Sequence, residues 1–145
     1  MQFVNNVESL RAWFDTCPHL APGRPLTVDY TGGAAVEYSI FAVPSEIKYK
    51  TNVLGETTPQ EIQTLDYIFA SIENHGKINK VNTANHVFYQ KVIDWIMEQS
   101  AAGNLPEINN GKITSIIPTL TAYVHSATAA EARYQINIKI TYRRV

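Results

Sequence analysis

Residues 134–142 alternate strictly between apolar and polar side chains, and this pattern limits the possible folds more than any other feature of the chain. Successive side chains of a strand point to opposite faces of its sheet, so the pattern predicts a strand with one buried face. The other face is then in water or covered by a partner. The chain must therefore supply a sheet and a second layer that covers its apolar face.

Two segments carry apolar residues at helical spacing. In residues 4–14 these side chains recur every three or four positions, and Pro18 then favours a loop. Residues 83–102 carry a wide apolar stripe that includes Val87, and the following Gly103-Asn104 is a typical helix stop. The sequence therefore predicts two main helices whose apolar stripes are buried against the sheet.

Further segments have strand patterns. Residues 26–31 and 36–40 alternate on either side of Gly32-Gly33, which predicts a hairpin with a tight turn. Residues 47–53 alternate as well and predict either a further edge strand or an extended arm. Residues 113–124 predict a strand that Pro118 interrupts, which is typical of a bulge or an edge position.

Residues 58–73 are compatible with a helix or a strand. Thr58-Pro59-Gln60-Glu61 resembles a capping box with proline at the first helical position, and the apolar residues that follow have helical spacing. The run Tyr67-Ile68-Phe69 equally suits a strand, because period alone does not distinguish the two in a short apolar run. The capping residues favour a helix here, and a strand remains the alternative.

Together these elements predict an α+β fold, an antiparallel β-sheet of four to five strands with two main helices packed on one face. The 145 residues have the length of a single domain, residues 1–145. Apolar residues make up 45% and charged residues 17% of the chain, a composition that argues against disorder.

No residue pattern points to catalysis, a cofactor or a metal. The four histidines are scattered, and none stands at metal-ligand spacing from another or from Cys17. Cys17 follows the first predicted helix, where the helix dipole disfavours a thiolate. Gly32-Gly33 is too short for a phosphate loop, and the GxGxxG, P-loop and GxSxG motifs are absent. We therefore expect a protein that is not an enzyme, with no catalytic residues, no cofactor and no metal.

Two classes of partner are disfavoured as well. Residues 1–15 lack the basic start and the continuous apolar stretch of a signal peptide, and no run approaches 18 apolar residues. The formal net charge of −1 disfavours broad binding to nucleic-acid phosphates. We expect a soluble protein made in a cytoplasm, with no membrane partner and no sequence-specific nucleic-acid partner.

Charge is distributed unevenly along the chain. Residues 1–111 contain 7 Lys or Arg and 12 Asp or Glu, a net charge of −5, whereas residues 112–145 contain 5 basic residues and one acidic residue, a net charge of +4. Basic residues that protect an exposed strand edge would explain this distribution. Head-to-tail self-association, in which a basic face meets an acidic face of the next copy, would explain it too.

Short motifs spread over residues 36–142 give the chain a family resemblance. The motifs are Tyr38-Ser39-Ile40 followed by Pro44, Phe88-Tyr89, Trp95-Ile96, Gly103-Asn104-Leu105-Pro106-Glu107 and Ala132-Arg133-Tyr134-Gln135-Ile136-Asn137-Ile138. With them the chain resembles the tail terminator, or tail completion, proteins of phages and prophages of Gram-positive bacteria, which are also described as minor capsid proteins. It departs from their pattern between residues 52 and 62, where the stretch 54–59 is longer.

The resemblance implies a small antiparallel sheet flanked by helices, with a strand over residues 62–72. It implies a homo-oligomeric ring, usually a hexamer, on the head-proximal end of the tail tube of a virion or phage-tail-like particle. The implied partners are further copies of the chain, the tail tube protein and the head–tail connector proteins. A connector, or another neck or minor capsid protein of such a particle, is the alternative.

The residues that we expect at a subunit or tube interface are basic. Four lie in the C-terminal strand and two in the segment over residues 42–58, a long loop that is itself a candidate for contact between subunits. The six residues are Lys48, Lys50, Arg133, Lys139, Arg143 and Arg144.

Overall fold

The computed structural model of the chain describes residues 5–21, 24, 26–28, 38–74, 79–127 and 131–145. Five strands form one sheet in the order β1-β2-β5-β7-β6, and two short strands form a separate ribbon, β3–β4. The described residues therefore have the predicted α+β fold, with five strands in the main sheet. The elements in chain order are α1 (Asn6–Asp15), β1 (Leu26–Val28), β2 (Tyr38–Val43), β3 (Tyr49–Thr51), β4 (Thr57–Pro59), β5 (Ile62–Asn74), α2 (Asn79–Ala102), β6 (Gly111–Ala127) and β7 (Glu131–Arg144).

The alternating C-terminal strand is confirmed by β7. Tyr134, Ile136, Ile138 and Ile140 are buried, and they lie on the face of the sheet that both helices cover. We call this the inner face, and the opposite one the outer face. β7 pairs antiparallel with β5 on one side and with β6 on the other, so it holds the largest part of the sheet together.

The sheet is mixed, so the predicted antiparallel arrangement is wrong for its first two strands. β1 runs parallel to β2, with Leu26 opposite Tyr38 and Val28 opposite Ile40, whereas the other three pairings are antiparallel. A tight turn joins antiparallel strands only, so the predicted hairpin is wrong as well. Alternation located both strands but carries no information on their relative direction. Gly32-Gly33 lies outside the described residues.

Residues 58–73, for which the sequence allows a helix or a strand, contain no helix, and most of them belong to the strand β5. β5 pairs with β2 along one edge and with β7 along its full length of 13 residues, and it sends Tyr67 and Phe69 into the core. Pairing along both edges overrides the local helical signal of the Thr58-Pro59 dipeptide, which instead belongs to β4. Residues 49–51 belong to the ribbon, so the segment over 47–53 is an arm and not an edge strand of the main sheet.

Both predicted helices are present. α1 begins after Asn5, whose Oδ1 accepts the backbone N–H of Glu8 at 3.1 Å and so caps the helix. α2 starts four residues before the predicted boundary and ends before Gly103, whose φ of +78° favours glycine and confirms the predicted stop. Neither helix, within the residues that the structure describes, combines the length and apolarity needed to cross a bilayer.

The edge strand β6 is irregular, as Pro118 predicted. Its pairing with β7 changes register four times along 17 residues, and one of the shifts directly follows Pro118. Proline donates no backbone hydrogen bond, so its position in an edge strand removes no bond from the sheet interior.

An aromatic core attaches both helices to the inner face. Phe69 of β5 is fully buried, and the centroid of its ring lies 5.1 Å from Phe14 of α1, 5.7 Å from Tyr38 and 6.1 Å from Tyr89 of α2. Such pairs contribute about 0.5–1.5 kcal/mol each beyond the area that they bury.

A second link joins the two helices to each other. The rings of Trp13 and Trp95 lie 4.6 Å apart, and the Trp13 indole donates a hydrogen bond to the carbonyl of Asn104 at 2.8 Å. Both helices are therefore fixed on one face of the sheet, as the sequence predicts.

The substitution Phe69→Ala tests this core. It removes the ring that contacts α1, β2 and α2 together, so we expect the free energy of unfolding to fall by about 3–5 kcal/mol in chemical denaturation. Met97→Ala is the control, because Met97 lies on α2 with 54% of its surface exposed, and its effect should stay within about 0.5 kcal/mol. Equal effects of the two substitutions would contradict the assignment of Phe69 as the centre of the core.

Candidate assembly surfaces

The outer face carries three of the six basic residues predicted at an interface. Arg133, Lys139 and Arg143 are at odd-numbered positions of β7, on the face opposite Ile136 and Ile138, and they share it with Gln135, which is 4% exposed. The ring contacts of α1 and α2 with Phe69 are on the inner face, and neither helix covers the outer one. A strand rises about 3.3 Å per residue, so Arg133 and Arg143 lie about 33 Å apart. The three residues form a basic row and not a pocket.

Two cations of the basic row are half-buried and have neighbours on the sheet. The Arg133 guanidinium lies 4.9 Å from the centroid of the Phe41 ring in a cation–π contact. Lys139 lies directly opposite Asp66 of β5, a carboxylate of opposite sign on the same face. The row is thus held in place by the sheet and keeps part of its surface in solvent.

The remaining predicted residues are dispersed. Arg143 Nε lies 3.1 Å from Glu61 Oε1, but both side chains are 61% exposed, and such a pair contributes only about 0–1 kcal/mol. Arg144 lies on the inner-face side of β7, where it lines a small polar pocket with three asparagines. Lys48 and Lys50 are exposed at the ribbon. The structure therefore brings three of the six residues onto one face and separates the other three from them.

A buried glutamine fixes the base of the ribbon to the sheet. Gln63 of β5 is 2% exposed, and its side-chain Oε1 accepts the backbone N–H of Lys48 at 2.9 Å. Its Nε2 donates to the carbonyls of Lys48 at 2.7 Å and Gln60 at 2.9 Å. One side chain thus satisfies three backbone groups where the chain leaves the sheet and returns to it, so the ribbon has a defined starting point.

The tip of the ribbon, residues 52–56, is ordered by local hydrogen bonds. Asn52 Oδ1 accepts the backbone N–H groups of Leu54 at 2.9 Å and Glu56 at 3.0 Å, which is an Asx turn. Gly55 adopts a φ of +80°, a conformation that side chains disfavour. This turn holds Val53 and Leu54 in solvent, fully exposed and 78% exposed respectively.

A shallow groove lies at the other end of the molecule. It has a volume of about 530 Å³ and is lined by residues of α2 and by His19. Val87 leaves 44% of its surface exposed in this groove, so it lies at the margin of the predicted buried stripe of α2 and not within it. The neighbouring Phe88 stacks on Tyr38 at 5.9 Å, which places the groove near the end of β5 that is remote from the ribbon.

The buried titratable groups have structural contacts. Burial raises the pKa of the Cys17 thiol and of the Tyr89 phenol. The Tyr89 hydroxyl contacts the Ser71 hydroxyl and donates to the carbonyl of Tyr134 at 3.2 Å. In the described ranges of the chain, no three His, Cys, Asp or Glu side chains are grouped so as to hold a metal ion.

Sequence reasoning missed several residues that shape these surfaces. Asn52 followed by Gly55 is a local turn signal that could have predicted the ordered tip. Nothing local predicts the burial of Gln63, because two of its three hydrogen bonds go to Lys48, 15 residues earlier in the chain. Arg24 was also missed: it forms an ion pair with Glu73 at 2.9 Å and lies 4.0 Å over the ring of Tyr38, contacts that depend on the tertiary fold.

No family model matches the chain, and no curated protein matches it.

The substitution Gln63→Leu tests the attachment of the ribbon. Three backbone groups lose their bond to Gln63, although the Lys48 carbonyl still accepts the Gln60 N–H at 2.8 Å. We therefore expect the free energy of unfolding to fall by about 1–3 kcal/mol and the ribbon amides to exchange faster with solvent. The measurement is hydrogen exchange combined with chemical denaturation. Gln60→Leu is the matched control, because Gln60 is exposed and water can replace the bond that its side chain donates to the Tyr49 carbonyl. Unchanged exchange in the ribbon of the Gln63→Leu variant would show that Gln63 does not hold it.

Cys17 allows a test of the inner layer. The residue is 4% exposed and burial raises its pKa, so both access and the thiolate fraction are low at neutral pH. We expect a thiol reagent to label the native protein at least about a hundredfold more slowly than the denatured protein. Labelling of the native protein at the rate of an unfolded peptide would contradict this packing.

Proposed function

We propose that the chain is a structural protein of a tailed phage, a prophage or a phage-tail-like particle. In this role it is a tail terminator, or tail completion, protein that caps the tail tube as a homo-oligomeric ring. The ring ends tube growth and offers a surface to which the head is joined. The proposal follows the resemblance carried by the motifs in residues 36–142, and its partners are the tube protein and the head–tail connector proteins.

The basic row on the outer face is the observation that supports this proposal best. The side of the molecule that carries the helices has exposed carboxylates, Asp15 at the end of α1 and Asp94 and Glu98 on α2, with the exposed Lys91 one turn before Asp94. Exposed cations on one side of the chain and exposed carboxylates on the other suit heterologous contacts between copies. When the rotation between copies closes, such contacts produce a ring.

A ring of this kind explains how assembly would end without any chemical step. A ring of identical subunits with heterologous contacts has two different ends. One end binds the last ring of the tube, and the other differs from a tube surface, so no further tube subunit is added. This mechanism places the protein in the particle and requires no enzymatic activity. Both parts of the proposal therefore depend on the ring.

Solution mass tests the ring directly. We expect multi-angle light scattering over a range of concentrations to give a discrete species near six times the 16.2 kDa of one chain, either alone or after addition of the tube protein from the same genome. A protein that stays monomeric alone and with the tube protein would contradict the proposal. Capture of the portal protein without the tube protein would instead indicate a head–tail connector.

The double substitution Arg133→Glu, Lys139→Glu tests the basic row. Charge reversal places like charges against the acidic surface of the next copy, so we expect the dissociation constant of the assembly to rise at least about tenfold. The wild-type assembly should weaken in about 1 M salt, where the screening length is about 3 Å. Unchanged assembly of the double variant would exclude the basic row from the contact.

A further inference from the structure

We infer that the ribbon tip of one copy seats in the groove of a second copy of this chain. Val53 and Leu54 are the side chains that enter, and Val87 and Phe88 of α2 are those that receive them. The inference rests on the proposed function for the existence of an assembly, and it names a contact that the proposed function does not specify.

The exposed aliphatic side chains at the tip are the first observation. Val53 and Leu54 project into solvent, and further along the same arm Ile47 and Tyr49 are exposed as well. These are large apolar side chains on a projection that has no core of its own to bury them. Large apolar side chains gathered on one exposed projection favour its use as an interaction site.

The rigidity of the tip is the second observation. Asn52 accepts two backbone N–H groups of the turn, its own N–H donates to the carbonyl of Glu56 at 3.0 Å, and the Gly55 N–H donates back to the Asn52 carbonyl at 3.0 Å. A loop that is already ordered loses little conformational entropy on binding. The turn therefore presents two aliphatic side chains at low entropic cost, which suits a docking element.

The groove has a chemistry that matches the tip. Val87 and Phe88 supply apolar surface, and two exposed residues of the lining, His19 and Lys91, supply nitrogen donors. The tip carries one carboxylate, Glu56, two residues after Leu54. Aliphatic side chains in the groove and a carboxylate beside Lys91 are complementary in both polarity and charge.

Geometry requires the groove to belong to another copy. The ribbon leaves the sheet at Gln63, whereas the groove lies beside Tyr38, which pairs with Ser71. Eight residues of extended strand separate Gln63 from Ser71, a distance of about 26 Å. The ribbon extends about 17 Å from Lys48 to Val53, so the tip does not reach the groove of its own chain. Repeated from copy to copy in one direction, this contact gives the heterologous, head-to-tail arrangement that a ring requires.

Paired cysteines test this contact. The variant Leu54→Cys, Val87→Cys has one cysteine in the ribbon tip and one in the groove. Under copper–phenanthroline oxidation we expect this variant to give a ladder of covalent oligomers. A mixture of the two single variants should give covalent dimers only, because each chain then carries one half of the contact. The native Cys17 is buried and stays outside the reaction.

The matched control replaces the groove cysteine by one elsewhere on α2. Met97 is 54% exposed, against 44% for Val87, so Leu54→Cys, Met97→Cys has an equally accessible thiol on the same helix. We expect the groove pair to cross-link at least about tenfold faster than this control, since docking raises the local concentration of one thiol around the other. Equal rates for the two pairs would overturn the inference.

A second variant and the solution mass keep the outcomes separate. Val53→Ser, Leu54→Ser changes only exposed side chains, so it should fold as the wild type does and assemble at least about tenfold more weakly. If the wild type forms a ring and this variant forms the same ring with unchanged affinity, the tip contact alone is overturned. A wild type that never assembles would overturn the proposed function as well. Cross-linking of the Leu54→Cys variant to the tube protein, and not to a second copy, would overturn the inference by assigning the tip to a different partner.

Discussion

The contact of Phe69 with rings from three other elements determines which surfaces of the molecule remain available. Phe14 and Tyr89 attach α1 and α2 to the inner face through this one side chain, and Tyr38 attaches β2. Because both helices pack on the inner face, neither of them packs on the outer face. Neither helix therefore covers the cations of the basic row, although the strand that carries them lies inside the sheet, between β5 and β6.

The elements that the sequence predicts well are those whose periodicity is long and whose ends carry local chemistry. β7 is an example, because a strict alternation is enough to place Arg133, Lys139 and Arg143 on one face of a strand. The end of α2 is another, because Gly103 stops the helix through its own backbone conformation. These features depend on neighbours in sequence, and a single sequence contains that information.

The features that escape prediction depend on segments distant in sequence. Alternation in β1 is the same for parallel and antiparallel pairing, so its direction is set by the sheet and not by its residues. Local signals in residues 58–61 favour a helix, yet β2 and β7 pair with both edges of β5. The residues of the candidate surfaces also differ in whether the sequence predicts their positions. The basic row follows from alternation, whereas the burial of Gln63 and the position of the groove require the tertiary structure.

The bulged pairing of β6 has a consequence for any protein that associates with its own copies. β6 is a 17-residue strand at the sheet edge, and a regular strand of that length would be a template for backbone pairing with other molecules. Its register shifts divide the pairing into runs of at most four residues, and bulges twist a strand edge away from regular geometry. Fibril-like growth along the sheet is thereby discouraged, and in the proposed assembly recognition between copies would depend on side chains, which can specify a closed number of subunits.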